Sequence, residues 1–406
     1  MAALIKAAAT FRIKTVTLAP TGRAAKVAAT LSGVPASTIH RRIYRPVDTG
    51  PSNEGWLLAP NRSTDTIFIV DEASMITDSH DSRSLLLHLI RYVYSAPGCS
   101  IVFVGDIAQL PPVGHTESPA MERRRLCELG LFPIYFSLWK PMRQRTASGI
   151  LWNATLVRKT LFSSPAACFR MIATPFDDVI TVRPHEMSDT LSESWGEVGM
   201  EETIVITRSN KRANRINAEI RARVLGAEEP ICRGERLLVS KNDYYWCPKN
   251  QRKGFLANGE SAKVLWAGGM EKAYGRWFVD VELEFTDTRE PMGAKIMLRS
   301  LMADGPAIPK EEQDRFFTTV ASHYEGEYSE KVKATEEDPF YNALQVKYAY
   351  CVTCHKAQGG QWKHVYLDLS AIAPESIGPE FYRWLYTAVT RASEKLFLVN
   401  PSFPVE

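Results

Sequence analysis

The sequence predicts an α/β protein: two domains built on parallel sheets, with a small β-barrel inserted in the second. Two observations predict the sheets. Short β-branched, apolar runs end in small or polar residues, and helix-like stretches lie between many of them. Strands that are apolar on both faces belong to parallel sheets covered by helices. A third observation predicts the insertion: between about 234 and 304 the pattern changes to β-hairpin signals.

The apolar opening, residues 1–13, reads as the end of a helix that runs into the strand-like "KTVTLAPTG" (14–22). "TIFIVDEAS" (66–74) and "IVFVGDIAQ" (101–109) follow, with a helix-like stretch at 81–94. "TIVITRSN" (203–210) precedes a helical stretch at 211–224, and "HVYLDLS" (364–370) and "LFLVN" (396–400) close the chain. Within the insertion, Asn258-Gly259 is a two-residue turn signal between "GFLA" and "ESAKVLW". In "FVDVELEF" (278–285), Val279, Val281 and Leu283 alternate with Asp280, Glu282 and Glu284, giving one buried and one wet face. A charged, helix-like stretch continues to about 338.

A chain of 406 residues suggests about three domains. With 45% apolar and 23% charged residues it has the composition of an ordinary globular protein. The net charge of +3 neither requires nor excludes a nucleic-acid partner, although arginines cluster at 41–45, 123–125 and 208–215. Seven scattered cysteines argue against a disulfide framework and for a reducing compartment. No apolar run approaches membrane-spanning length. The expected location is the cytoplasm.

In open α/β sheets, ligands bind beyond the carboxyl ends of the strands. Asp71, Glu72, Asp106 and Gln109 all stand at such ends. Adjacent carboxylates after a buried strand suit nucleotide hydrolysis, one holding Mg²⁺ and the other polarising water. Gln109 can hydrogen-bond both a terminal phosphate and a water, and Pro111-Pro112 fixes an extended exit from the sheet. Near the C-terminus, "CVTCHKAQGGQW" (351–362) contains Cys-x-x-Cys-His, the form of a c-type haem attachment site. A pattern with three fixed positions recurs by chance.

The order of these blocks resembles a superfamily-one DNA helicase of the RecD-like (exonuclease V alpha-subunit) branch. "LAPTGRAAKV" (18–27) resembles motif Ia, "IVDEASMI" motif II, "VGDIAQLPPVG" motif III and "MRQRTASGIL" (142–151) motif IV. "YAYCVTCHKAQGGQW" is similar to motif V and "WLYTAVTRASEKLFLV" (384–399) to motif VI. The resemblance implies two RecA-like domains: residues 1–138 (N-terminally truncated), and 139–232 with 339–406. An SH3-like barrel would occupy 233–338. It also implies ATP, Mg²⁺ and single-stranded DNA as ligands, with 5′→3′ travel in DNA repair or recombination.

By that resemblance Asp71 coordinates Mg²⁺, Glu72 activates water, and Gln109 links the γ-phosphate to the DNA-binding face. Arg143 and Arg391 reach the γ-phosphate as arginine fingers. Thr353, His355, Gln358 and Gly359 match the motif V pattern Thr-x-His-x-x-Gln-Gly, whose groups hold DNA phosphates. Cys351 and Cys354 then fall at variable positions as packing residues, and no haem is expected. Thr21, Arg23 and His40 contact the strand in the first domain. Lys241, Asn242, Tyr244 and Trp246 are either a strand-facing surface of the barrel or its core.

One block is missing from the 406 residues. No stretch reads Gly-x-x-x-x-Gly-Lys-Ser/Thr, the loop that cradles the β- and γ-phosphates. Two readings stay open, a helicase seen incomplete and a relic that binds DNA without a motor.

Overall fold

The computed structural model describes residues 1–46, 56–78, 84–138, 148–163, 170–246, 256–285, 290–370 and 372–406. Arg143 lies outside them. The chain forms two compact units. One comprises Met1–Arg45, Leu58–Thr207 and Thr353–Glu406, the other Pro46–Leu57 and Arg208–Val352.

In the first unit, strands β1 (Lys14–Ala19), β2 (Ala36–Thr38), β3 (Thr66–Val70) and β4 (Ser100–Phe103) make a parallel sheet in the order β2-β1-β3-β4. The register runs from Lys14↔Thr66 to Leu18↔Val70 between β1 and β3, and from Ile67↔Ser100 to Val70↔Phe103 between β3 and β4. Phe68, Ile69 and Val70 in the middle strand are wholly covered. At the edge of the described sheet, Ile101, Val102 and Phe103 of β4 are only half-buried. The helix Leu85–Tyr94 is capped by Ser84, whose hydroxyl accepts from Leu87 N at 3.0 Å. Its Leu86, Leu89, Ile90 and Val93 fall on one stripe and pack into the same core as Leu18, Phe68 and Val70.

Strands β5 (Val179–Val182) and β6 (Thr203–Thr207) open a second sheet. The chain then builds the second unit. Its strands β7 (Arg236–Val239), β8 (Ser261–Ala273), β9 (Arg276–Phe285), β10 (Pro291–Met297) and β11 (Val346–Tyr348) form an antiparallel sheet in the order β10-β9-β8-β7-β11. The two ends of that sheet meet, because Leu344 N donates to Lys295 O at 2.7 Å and Met297 N to Leu344 O at 3.1 Å. The alternation expected along β9 is present, with Val281, Leu283 and Phe285 buried and Asp280 and Glu282 exposed. Tyr274 and Gly275 join β8 to β9 with φ of 48° and 75°, a two-residue turn with both central residues left-handed. The helices Lys310–Ala321 and Tyr328–Glu337 follow, and Phe278, Phe316 and Phe340 share one core cluster. Trp246 is tied into this unit by its indole N–H, 2.7 Å from Asn342 O, whereas Tyr244 stays 49% exposed.

The first unit is completed by β12 (Trp362–Asp368) and β13 (Ala392–Val399). They pair in parallel within the order β6-β12-β13-β5, with His364↔Thr203 and Leu396↔Val179 among the partners. The expectation of two parallel sheets is therefore met, and an antiparallel sheet stands between strands of the second, in the stretch where a barrel was expected. Among the described residues no helix is long and apolar enough to cross a membrane.

Candidate functional site

The two carboxylates stand where β3 ends. Asp71 N donates to Leu18 O of β1 at 2.9 Å, and Ala73 N to Val104 O beyond β4 at 2.9 Å. The turn between them is sharp, because Glu72 adopts φ 49°, ψ 38°, a conformation few non-glycine residues take. Gly105 permits the close approach, since a Cβ there would lie 2.9 Å from Ser74 N. Asp71 and Glu72 are thereby held beside the segment that carries Gln109. Among the described residues no group of three His, Cys, Asp or Glu side chains forms a metal cage. A single carboxylate beside substrate phosphates is nonetheless how Mg²⁺ is commonly held, and Asp71 fits that use.

Residues 106–110 are gripped by helices of the second sheet. Asp106 receives Arg158 Nη1 at 2.5 Å on one oxygen and the Tyr386 hydroxyl at 2.6 Å on the other. Arg383 donates to Ile107 O. Leu110 N donates to Thr387 Oγ1 at 2.8 Å, and Leu110 O accepts from Gln358 Nε2 at 2.8 Å. Between these contacts Gln109 is 8% exposed, and its Oε1 is buried without a hydrogen-bond partner among the described residues. A buried orphan acceptor is costly; a donor brought by a ligand would satisfy it.

Arg391 lies in the turn that follows the helix Pro379–Val389, and only 2% of it is exposed. Its guanidinium donates to Thr387 O at 2.9 Å, Gly360 O at 3.1 Å and Thr390 Oγ1 at 3.1 Å. All three acceptors are uncharged. Among the described residues no anion is bonded to it, and a buried cation without an anion is unfavourable. Through Thr387, Arg391 is one residue removed from Leu110 and hence close to the Gln109 segment.

The residues expected to hold a strand are partly brought together. Gly359, at φ 71°, would place a Cβ 2.9 Å from that of Ala24, and one at Gly360 would lie 2.5 Å from Arg23 Nε. The loop 353–362 thus packs directly on residues 23–24, and the Arg23 guanidinium lies 3.8 Å from the centre of the Trp362 ring. Thr21 caps the helix Gly22–Ser32, its hydroxyl accepting from Ala24 N at 3.2 Å. Thr353 precedes the short helix Cys354–Ala357 and is 8% exposed. His355 is exposed, while the Gln358 amide is engaged by Leu110. His40 is exposed on the helix Ile39–Ile43, with its ring 5.7 Å from that of Tyr44. Both cysteines of the Cys-x-x-Cys-His pattern are core residues, each 1% exposed. Burial pushes the Cys354 thiol up to about 12, and its sulfur donates to Trp384 O.

Lys356 went unremarked in the sequence reading. Its Nζ is buried without a hydrogen-bond partner among the described residues, and burial brings its pKa down to about 8. The ion-pairing Arg158 and the row Arg383, Tyr386, Thr387 were missed too. That row has a legible signal, because a spacing of three and four residues places them on one helix face.

Comparison with known proteins adds two matches over these segments. Residues 1–121 match an AAA domain, and residues 348–399 match a UvrD-like helicase C-terminal domain. "Uncharacterized protein R530" of Acanthamoeba polyphaga mimivirus is 23% identical over 378 residues, covering 81% of this chain and 74% of that protein. Among solved structures, Pif1 helicase from Bacteroides in complex with ADP-AlF3 and ssDNA is 16% identical at a TM-score of 0.45, covering 95% of this chain and 82% of that one. Pif1 helicase from Candida albicans is 14% identical at a TM-score of 0.46, covering 98% and 87%. Residues 1–121 are thus similar to an AAA domain and residues 348–399 to a UvrD-like helicase C-terminal domain, each over residues that build the site.

Proposed function

We propose that this chain is the motor portion of an ATP-dependent helicase or translocase on single-stranded DNA. One observation carries the reading: the Arg391 guanidinium is 2% exposed and bonded only to uncharged oxygens among the described residues. It lies next to a segment whose Gln109 carbonyl oxygen is buried and, among the described residues, orphaned. A phosphoryl group between them supplies an acceptor for the cation, and water or a protonated oxygen supplies a donor for Gln109. In this reading Asp71 holds Mg²⁺, Glu72 polarises the attacking water, and Arg391 neutralises charge on the transferring oxygens. Arg143 takes the same part from outside the described residues.

On the strand side, Thr21, Arg23, His40, Thr353 and His355 grip the sugar–phosphate backbone, while Gln358 and Gly359 shape the loop. Backbone contact without base readout suits a motor that moves over any sequence. Travel from 5′ to 3′ in repair or recombination is part of the proposal through the family resemblance. A second reading, a non-hydrolysing single-strand binder, is favoured by one fact: the 406 residues contain no Gly-x-x-x-x-Gly-Lys-Ser/Thr loop. Both readings share strand binding, which fluorescence anisotropy with labelled oligonucleotides tests. Binding should be independent of sequence and weaken steeply with salt. Affinity for one sequence alone, with little salt dependence, would remove both.

A further inference from the structure

Arg158 lies on the helix Gly149–Phe162, outside every stretch that the sequence reading marked for chemistry. Its Nη1 donates to Asp106 at 2.5 Å and to the Tyr386 hydroxyl at 3.2 Å, and that hydroxyl donates to the second Asp106 oxygen at 2.6 Å. Three side chains therefore close a triangle that joins the exit of β4 to two helices of the second sheet. The guanidinium also lies 5.6 Å from the Tyr386 ring centre and 5.7 Å from that of Phe162. The Arg158 side chain is 37% exposed and that of Asp106 27%. An isolated pair at such exposure contributes little. Here the third member changes the geometry, because Tyr386 fixes one carboxylate oxygen while Arg158 takes the other.

We propose that Arg158 is a positioning residue. It locks residues 106–110 onto the helix Pro379–Val389 and so sets the spacing between Gln109 and Arg391. The purpose of that spacing rests on the nucleotide reading above; the mechanical claim does not. A plain surface ion pair would leave the segment's position unchanged when broken. A lock would not.

The test uses the full chain without nucleotide. Spin labels are introduced through non-natural amino acids at exposed Arg124, on the helix Arg123–Glu128, and at exposed Thr155, on the helix Gly149–Phe162. Pulsed dipolar spectroscopy then gives the distance distribution between the two sheets' helices. The unsubstituted chain should show one narrow population. Arg158→Ala and Tyr386→Phe should each broaden it, lowering the closed fraction about tenfold relative to the open one. Because both act through Asp106, the double variant should be little worse than either single one. Arg158→Lys keeps the charge but not the fork, and should fall between. An unchanged distribution in Arg158→Ala overturns the proposal. So do strictly additive effects, which would mean that the two side chains act separately. If Arg158→Ala does not fold, Tyr386→Phe and Arg158→Lys decide by the same criteria. Phosphate release is measured separately in a fusion that carries a Gly-x-x-x-x-Gly-Lys-Ser/Thr segment ahead of Met1, so an inactive fusion with an intact lock would count against the nucleotide reading alone.

Discussion

The backbone N–H of Leu110 donates to the Thr387 hydroxyl across 277 residues of sequence at 2.8 Å. That one bond ties the end of the first sheet's ligand-side segment to the helix that leads to Arg391. Thr387 also offers its backbone carbonyl to Arg391 Nε at 2.9 Å. The threonine is 0% exposed, so no water replaces it. Thr387→Val keeps the shape and removes the acceptor, leaving a buried donor at a cost of about 1–3 kcal/mol. Thr387→Ser should cost less. Denaturant midpoints at constant slope give the comparison, and a larger loss in Thr387→Ser than in Thr387→Val would show that the methyl packing, not the hydrogen bond, is what matters.

Gly359 concerns the other seam of the site. Its φ of 71° and a projected Cβ only 2.9 Å from Ala24 Cβ leave no room for a side chain. Gly359→Ala should destabilise the chain by about 1–3 kcal/mol through backbone strain and crowding together, and weaken strand binding with it. Melting at the unsubstituted temperature would mean that the loop accommodates the methyl by moving.

Lys356 yields a pH prediction. Burial lowers its pKa from 10.5 to about 8. The unfolded chain therefore binds this proton more firmly than the folded one, and stability rises as pH climbs from about 8 to 10.5. Below about 8 the cost of the buried ammonium is fully present. Lys356→Met should accordingly stabilise the chain by about 1–3 kcal/mol at neutral pH and by progressively less above pH 8. A gain that does not vary with pH would show that the methionine acts through packing alone.

Much of this arrangement was legible in the sequence because parallel strands are apolar on both faces. The runs at 66–70, 203–207 and 396–399 declare themselves by composition alone. The carboxylate turn and Gln109 follow, since they sit where those runs stop. Other features were hidden for a physical reason. Arg158 and Asp106 are 52 residues apart, and Gln358 and Leu110 are 248 apart. Such partners depend on how two sheets meet, which no local pattern encodes. Arg23 illustrates the same limit. Its guanidinium lies over the buried Trp362, a partner that only the folded chain brings to it. The β8–β9 turn was missed because Tyr274 at φ 48° is an uncommon choice for a left-handed position.

Phosphate release from the purified 406-residue chain, with and without single-stranded DNA, bears most directly on the nucleotide site. The account predicts negligible turnover, because Glu72, Gln109 and Arg391 stabilise a transition state but cannot position a triphosphate that has no backbone cradle. A segment carrying Gly-x-x-x-x-Gly-Lys-Ser/Thr, fused ahead of Met1, should bring turnover that DNA stimulates. In that fusion Glu72→Gln should abolish hydrolysis while nucleotide binding persists, and Arg391→Ala should cut turnover by about a thousandfold, the low end for loss of an arginine finger. Robust Glu72-dependent hydrolysis by the 406-residue chain itself, or a nucleotide-binding fusion indifferent to both substitutions, would contradict the account.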